Sequence, residues 1–326
     1  MKDNWERVKP AMKLSHSEIN GMAKSYFGRD VVDFNLVSGG LSNSNYQIRM
    51  EGTDRPYLLR VYGSSEPTCQ KERDVHRLVR KTVPVPEFYY VDSSCRIYEK
   101  HFAIMEWVEG IPLNKVMHGG ASADIVEAAA SAGAVLADIH QYGFDSPGFF
   151  GTGLTVKEPL RLGPEMFLSF IEESLFHGVA GSWLGKDLTE RLWRFAKENA
   201  SLLSEEPDRY SLTHSDYNGW NLLMSRDAGE WKTAAVLDWE FAFSATSTVD
   251  IGNMLRYEEP GSLFENHFIK GFESRGGRLP KEWRKLAKLE DLIALCDLLN
   301  RSSNGPNRVN DLRALVGTTL DQWNKA

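Results

Sequence analysis

Apolar residues recur along this chain with two different periods. In the first third they come in short β-branched and aromatic runs, at residues 31–37, 46–50, 57–62, 88–91 and 102–108. Turn-rich stretches such as Ser38-Gly39-Gly40 and Glu51-Gly52-Thr53-Asp54 separate the first of them. Runs of this length between such breakers predict strands, here of a mostly antiparallel sheet. Ser15 and Glu18 have the spacing of a capping box and open a short helix that ends near Gly28. A second helix, roughly 68–81, stops before Val83-Pro84-Val85-Pro86, because a residue that precedes proline is pushed out of the helical region.

Beyond Gly110 the period lengthens to that of amphipathic helices. They are predicted over 124–142 (capped near Gly143), 164–176, 186–203, 263–274, 281–299 and 310–323. One β-rich block, 211–242, is embedded among them, and no internal repeat recurs. The pattern predicts an α+β protein. A β-rich N-terminal lobe covers 1–108, with a linker at 106–110 at its end, and a larger, mainly helical C-terminal lobe covers 109–326. Clefts between lobes are favoured ligand sites.

Composition narrows the function. The 326 residues suffice for one large domain or two lobes, and 42% apolar with 25% charged residues is ordinary for a soluble globular protein. The net charge of -7 gives no long-range attraction to nucleic acid or anionic membranes, and it is compatible with a cationic substrate. Cys69, Cys95 and Cys296 are too scattered for a zinc knuckle or redox pair, so reduced thiols are expected. The first ten residues lack the apolar stretch of a signal peptide. The longest small and apolar run, 128–139, is interrupted by Asp138 and is too short to span a bilayer. A cytoplasmic protein is expected.

The segment richest in chemistry is Leu212-Thr213-His214-Ser215-Asp216-Tyr217-Asn218-Gly219-Trp220-Asn221, followed by Ala234-Ala235-Val236-Leu237-Asp238-Trp239-Glu240. Phosphoryl transfer asks little covalent chemistry of a protein; it must orient a hydroxyl, hold magnesium and spread phosphate charge. Asp216 is assigned as the base that accepts the hydroxyl proton. Asn221 and Asp238 are assigned as ligands of Mg²⁺, which prefers oxygen. Residues 222–224 and 234–237 read as two strands of a hairpin turning at Arg226-Asp227-Ala228-Gly229, which would bring Asn221 and Asp238 to the same end. His214-x-Asp216 also has the look of a transition-metal pair, but no further His or Cys is near in sequence to complete one. His214 is read as a structural residue of the loop. Ser215 lies between His214 and Asp216, and sequence neighbours do not by themselves make a Ser-His-Asp triad.

This segment resembles the catalytic and metal-binding loops of the aminoglycoside phosphotransferase and choline kinase family, relatives of the protein kinases. The likeness runs in order from about Val31 to Arg256. It implies a two-lobed protein-kinase-like fold, ATP, Mg²⁺ and a small-molecule hydroxyl acceptor. Ser38-Gly39-Gly40-Leu41-Ser42-Asn43 resembles the family's phosphate-covering loop, with Gly39, Gly40, Ser42 and Asn43 expected near phosphate. It is not a Walker A motif.

Arg60 lies in an apolar strand, where a charge needs a partner. Glu72 shares a helix face with Val75 and Val79, so Arg60 pairing with Glu72 would satisfy both charges, with Glu66 and Glu99 as alternative partners. That pair matches the one which anchors the α- and β-phosphates in kinases. By the same resemblance, 102–110 is the hinge. Adenine would bond to the Glu106 carbonyl and the Val108 amide, with Met105 behind the base. Asp250 is read as a brace of the catalytic loop, His140 as a packing residue, and Glu240 as a second-metal ligand.

The acceptor is less legible. Glu258, Glu259, Glu265 and Glu273 are carboxylates that would suit a polyamine-like antibiotic, though each also reads as part of a solvated acidic helix face. Trp183, Trp220, Trp239, Trp283 and Trp323 include candidates for holding a quaternary ammonium, although most read as core. The segment 143–151 resembles a loop of antibiotic-phosphorylating members. Three readings follow: a phosphotransferase for an aminoglycoside-type antibiotic; a metabolic kinase for an amino alcohol, sugar or hydroxy amino acid; and a silent nucleotide-binding module, disfavoured because Asp216, Asn221 and Asp238 are all present.

Overall fold

The computed structural model describes residues 4–7, 10–37, 42–64, 68–204, 209–302 and 305–325; Gly39, Gly40 and Glu66 lie outside them. The chain opens with helix α1, His16–Phe27. Ser15 and Glu18 close the expected capping box, and Gly28 ends the helix in the left-handed conformation, φ 64°. Strands β1 (Val31–Val37), β2 (Ser44–Met50), β3 (Pro56–Val61), β4 (Phe88–Asp92) and β5 (Phe102–Glu106) form one antiparallel sheet in the order β1-β2-β3-β5-β4. Helix α2, Thr68–Val79, interrupts it. Ile19, Met22 and Ala23 of α1 bury one sheet face against Ile48, Leu59 and Ile104.

Strand β5 ends two residues short of the expected boundary, and the chain runs through 107–110 into β6, Ile111–Pro112. Then come α3 (Leu113–Gly119), α4 (Ser122–His140), β7 (Gly143–Phe144), β8 (Gly148–Phe150), β9 (Val156–Pro159), α5 (Pro164–Glu172), α6 (Ala180–Leu184) and α7 (Lys186–Asn199). Strands β10 (Tyr210–Thr213), β11 (Leu222–Asp227), β12 (Glu230–Val236) and β13 (Phe243–Ala245) follow, then α8 (Thr248–Met254), α9 (Leu263–Ser274), α10 (Trp283–Asn300) and α11 (Pro306–Asp321). Two expected long helices change pitch near their ends. The one at 164–176 widens into a π turn at Glu173–His177, and the one at 186–203 tightens into a 3-10 turn at Ala200–Ser204. Strands β7 to β9 were not expected; runs of two to four residues carry too little period to be read.

The β11–β12 hairpin forms as predicted, with Ala228 and Gly229 both at positive φ, 51° and 92°. Such a two-residue turn matches the right-handed twist of the strands. Under it lies the larger core, where α4 and α9 cross at backbone contact. A Cβ added to Gly133 would stand 1.9 Å from the Phe268 carbonyl oxygen, and one on Gly271 would stand 2.1 Å from that of Ala130. Leu212, Tyr217, Leu222, Val236 and Trp239 sit in the same core, so the loop between β10 and β11 is anchored at both ends. A second core joins α5, α6, α7, α10 and α11.

Candidate active site

The loop from His214 to Asn221 is held by a buried carboxylate. Asp250, in α8, accepts from the His214 amide at 2.8 Å and the Ser215 amide at 2.8 Å, and His140 Nε2 lies 3.1 Å from it. Ser215 sits at φ 71°, a left-handed conformation that costs a non-glycine residue about 1–2 kcal/mol. The two charge-assisted bonds from neighbouring amides offset that cost. His140 is buried as expected, and it serves Asp250 as well as packing edge-on against Phe272.

His214 links this loop to the other chemical segment. Its Nδ1 accepts from the Asp216 amide at 3.2 Å, and its Nε2 donates to the Leu237 carbonyl at 2.8 Å. A neutral ring with its proton on Nε2 satisfies both contacts. The Leu237 amide in turn donates to the Asn221 carbonyl at 2.8 Å. The residue before Asp238 is thus tied to both ends of the loop, and Asn221 and Asp238 come to the same end of the hairpin.

The Asp216 carboxylate is fixed in place. Asn218 Nδ2 donates to one oxygen at 2.8 Å and Asn221 Nδ2 to the other at 2.8 Å. With its Nδ2 so used, Asn221 has its side-chain oxygen, Oδ1, to offer a cation. Asp238 is itself in the left-handed conformation, φ 63°. One of its oxygens lies 2.5 Å from Arg60 Nη2.

Arg60 is buried and pairs with two acids. Besides Asp238 it lies 3.4 Å from Glu72, whose other oxygen accepts from the Tyr62 hydroxyl at 2.6 Å. Burial works against the guanidinium charge, but Asp238 and then Glu72 outweigh it, and its pKa is held well above the ordinary value. Burial pushes the Glu240 carboxyl up to about 7, with Arg60 opposing and Asp238 adding to the rise. Asn43 Nδ2 donates to Glu240 at 3.1 Å, its Oδ1 accepts from the Gly63 amide at 3.1 Å, and its carbonyl accepts from Arg7 at 3.0 Å. Asn43, expected near phosphate, therefore ties the start of β2 to Gly63, to Arg7 and to Glu240 of the larger lobe.

These groups line one cleft of about 2410 Å³, with Ser42, Asn43, Arg60, Glu72, Met105, Asp216, Asn221 and Asp238 all on its wall. Ligand pockets commonly measure roughly 300–1,000 Å³, so this cleft is larger than a single drug-sized ligand requires. Glu106 and Val108 are not on the wall; the expectation for them concerned backbone atoms. Among the described residues no group of three or more His, Cys, Asp or Glu could hold a metal ion. Magnesium fits the donor set present, since it commonly takes one or two protein oxygens and completes its shell with phosphate and water.

The carboxylates expected to meet a polyamine do not reach this cleft. Glu265 is buried against Arg284 at 2.6 Å, Glu258 accepts from Ser262 and Glu259 from Gln322, and none of them, nor Glu273, is on the wall. Of the five tryptophans singled out, Trp220 alone lines the cleft; Trp239 is fully buried, and Trp183, Trp283 and Trp323 pack against the cores. Sequence reasoning missed Glu290. It lies on the stripe Leu286, Leu289, Glu290, Ile293 of α10, and a carboxylate at helical spacing among apolar residues was the available signal. Tyr62, one residue past β3, was missed as the partner of Glu72.

A profile described as the phosphotransferase enzyme family matches residues 33–289. No curated protein matches the chain. Among solved structures, a mutant of aminoglycoside phosphotransferase APH(4)-Ia in complex with AMP-PNP and hygromycin B superposes with a TM-score of 0.69 at 17% identity, over 93% of this chain and 98% of that one. A protein provisionally assigned as a fructosamine-3-kinase from Thermobifida fusca gives 0.64 at 17% identity, over 94% and 100%. The streptomycin–ATP complex of APH(2")-IIa gives 0.62 at 14% identity, over 95% and 99%. At these identities the likeness is one of fold.

Proposed function

The chain belongs to the phosphotransferase enzyme family and is a small-molecule kinase, and from that premise we propose how its residues divide the work. ATP binds between a nucleotide lobe, 1–108, and a catalytic lobe, 109–326. The acceptor hydroxyl oxygen forms a bond to the γ-phosphorus, the bond from that phosphorus to the bridging oxygen breaks, and ADP leaves. The hydroxyl proton passes to Asp216. Arg60, braced by Glu72, meets the α- and β-phosphates. Gly39, Gly40, Ser42 and Asn43 cover the phosphates, while Met105, Glu106 and Val108 hold adenine. Magnesium, held by Asn221 and Asp238, supplies positive charge at the phosphates when bound.

The observation that carries this reading is the fixed carboxylate of Asp216. Two side-chain amides hold both its oxygens on the wall of the cleft, and the Asn221 carbonyl, bonded to the Leu237 amide, places Asp238 beside them. A base must be within reach of its proton before its basicity matters. The test is release of ADP with Mg²⁺ across a panel of aminoglycosides, choline-like amines, sugars and hydroxy amino acids. A product carrying the phosphate supports the reading. No product and no bound ATP would sink it.

An aminoglycoside-type antibiotic is one acceptor class, favoured by the resemblance of the sequence. The second class, an amino alcohol, sugar or hydroxy amino acid, is favoured by the wall itself. Ten Lys and Arg line the cleft against six Asp and Glu among the described residues. A polycation would find no surplus of carboxylates there.

A further inference from the structure

The acceptor half of the cleft has a composition of its own. Phe149 and Phe241 line it while 45% and 43% exposed, and Phe149 lies against Phe243, the rings tilted by 31° with centroids 5.4 Å apart. Aromatic side chains commonly line ligand pockets, and a ligand that covers exposed rings gains their burial. On the same wall, Thr246, which follows the strand that carries Phe243, donates to one oxygen of Glu290 at 2.6 Å. Its other oxygen is buried and has no hydrogen-bond partner among the described residues. A buried acceptor atom left unmatched is costly, and a ligand donor would relieve it. The remaining acid on this wall, Asp297, is bridged by Arg301 at 2.9 Å.

We propose that this half binds an amphipathic hydroxyl compound, whose apolar ring-bearing body lies on Phe149, Phe241 and Phe243 while a single donor group, amine or hydroxyl, reaches Glu290. The inference rests on the phosphotransferase reading and names the acceptor class of the same site. It predicts that the apolar body sets affinity and the Glu290 contact sets orientation. ATP supplies the phosphoryl group, as above, and the proton from the acceptor hydroxyl goes to Asp216.

The test is a series of amino alcohols of growing apolar body: ethanolamine, phenylalaninol and tryptophanol, with hygromycin B as the polycation. Calorimetric binding is measured on protein loaded with AMP-PNP and Mg²⁺, and phosphorylated product is measured with ATP. Affinity is expected to rise at least tenfold from ethanolamine to tryptophanol. The rise should flatten in Phe149→Ala and partly return in Phe149→Leu. Glu290→Gln should weaken tryptophanol about tenfold, because Thr246 holds the amide oxygen and turns the NH2 toward the ligand donor. No rise along the series in the wild type, or tighter binding of hygromycin B, would overturn the inference. Product from hygromycin B alone would overturn it while leaving the kinase reading intact; no product and no AMP-PNP binding would fail the kinase reading first.

Discussion

The two halves of the cleft are built on different principles. Around Arg60, where the nucleotide is proposed to bind, charges are matched by named partners: Arg60 with Asp238 and Glu72, Glu72 with Tyr62, Glu240 with Asn43. Around Phe149 and Phe243, where the acceptor is proposed to bind, the wall is aromatic, Asp297 is paired with Arg301, and one buried oxygen of Glu290 is left over. Nucleotide chemistry is the same for every member of such a family, so a rigid, charge-matched half suits it. An acceptor pocket that recognises mainly by shape and apolar area can vary without disturbing that half.

Substitutions can break this contrast, beginning with the largest effect. Asp216→Ala should lower turnover about 10³-fold, the usual scale for a general base, while AMP-PNP binding measured by calorimetry is retained. Unchanged turnover would remove Asp216 from the role of base. Asp238→Ala should abolish the magnesium dependence of nucleotide binding. Titrations with and without Mg²⁺ check this, and an unaltered metal dependence would move the cation elsewhere. Arg60→Ala should reduce kcat/KM for ATP about 30-fold or more, and Arg60→Lys less, since the charge survives but the planar fork does not. Equal losses would show that Arg60 does not touch phosphate.

The smallest effect sharpens the acceptor side. Burial pushes the Glu290 carboxyl up to about 7, against the hydrogen bond from Thr246. An acid whose pKa is raised on folding stabilises the protein fully below its unfolded pKa, and that stability is lost as pH rises through the folded value. Glu290→Gln should therefore gain on the wild type between about pH 4.5 and 7. Melting temperatures are expected to differ little at pH 4.5 and to favour the variant by about 2 °C at pH 8. A difference that does not change with pH would mean that Glu290 is solvated.

What the sequence disclosed follows from distance along the chain. That Asn221 and Asp238 come to the same end, near Asp216, was legible because a short loop and a hairpin keep the three close in sequence. Arg60 and Glu72 were legible because a charge in an apolar strand and an acid on an apolar helix face each call for a partner. The contact between Arg60 and Asp238 joins residues 178 positions apart, and that between Asn43 and Glu240 joins residues 197 apart. No local period reports such meetings. Gly39 and Gly40 lie outside the described residues. For the acidic residues 258, 259, 265 and 273 two readings stood open because sequence shows charge but not direction; 265 and 273 lie on α9, 258 and 259 in the segment before it, and none is on the wall of the cleft.

With the roles proposed for Arg60 and Asp238, their ion pair would make metal and nucleotide interdependent. While Arg60 holds the carboxylate at 2.5 Å, a divalent cation arriving alone competes with a buried guanidinium for the same oxygen. Phosphates that drew Arg60 toward themselves would release that oxygen, and a cation that took it would release Arg60 for the phosphates. Each ligand would then raise the affinity of the other, by the same factor in both directions.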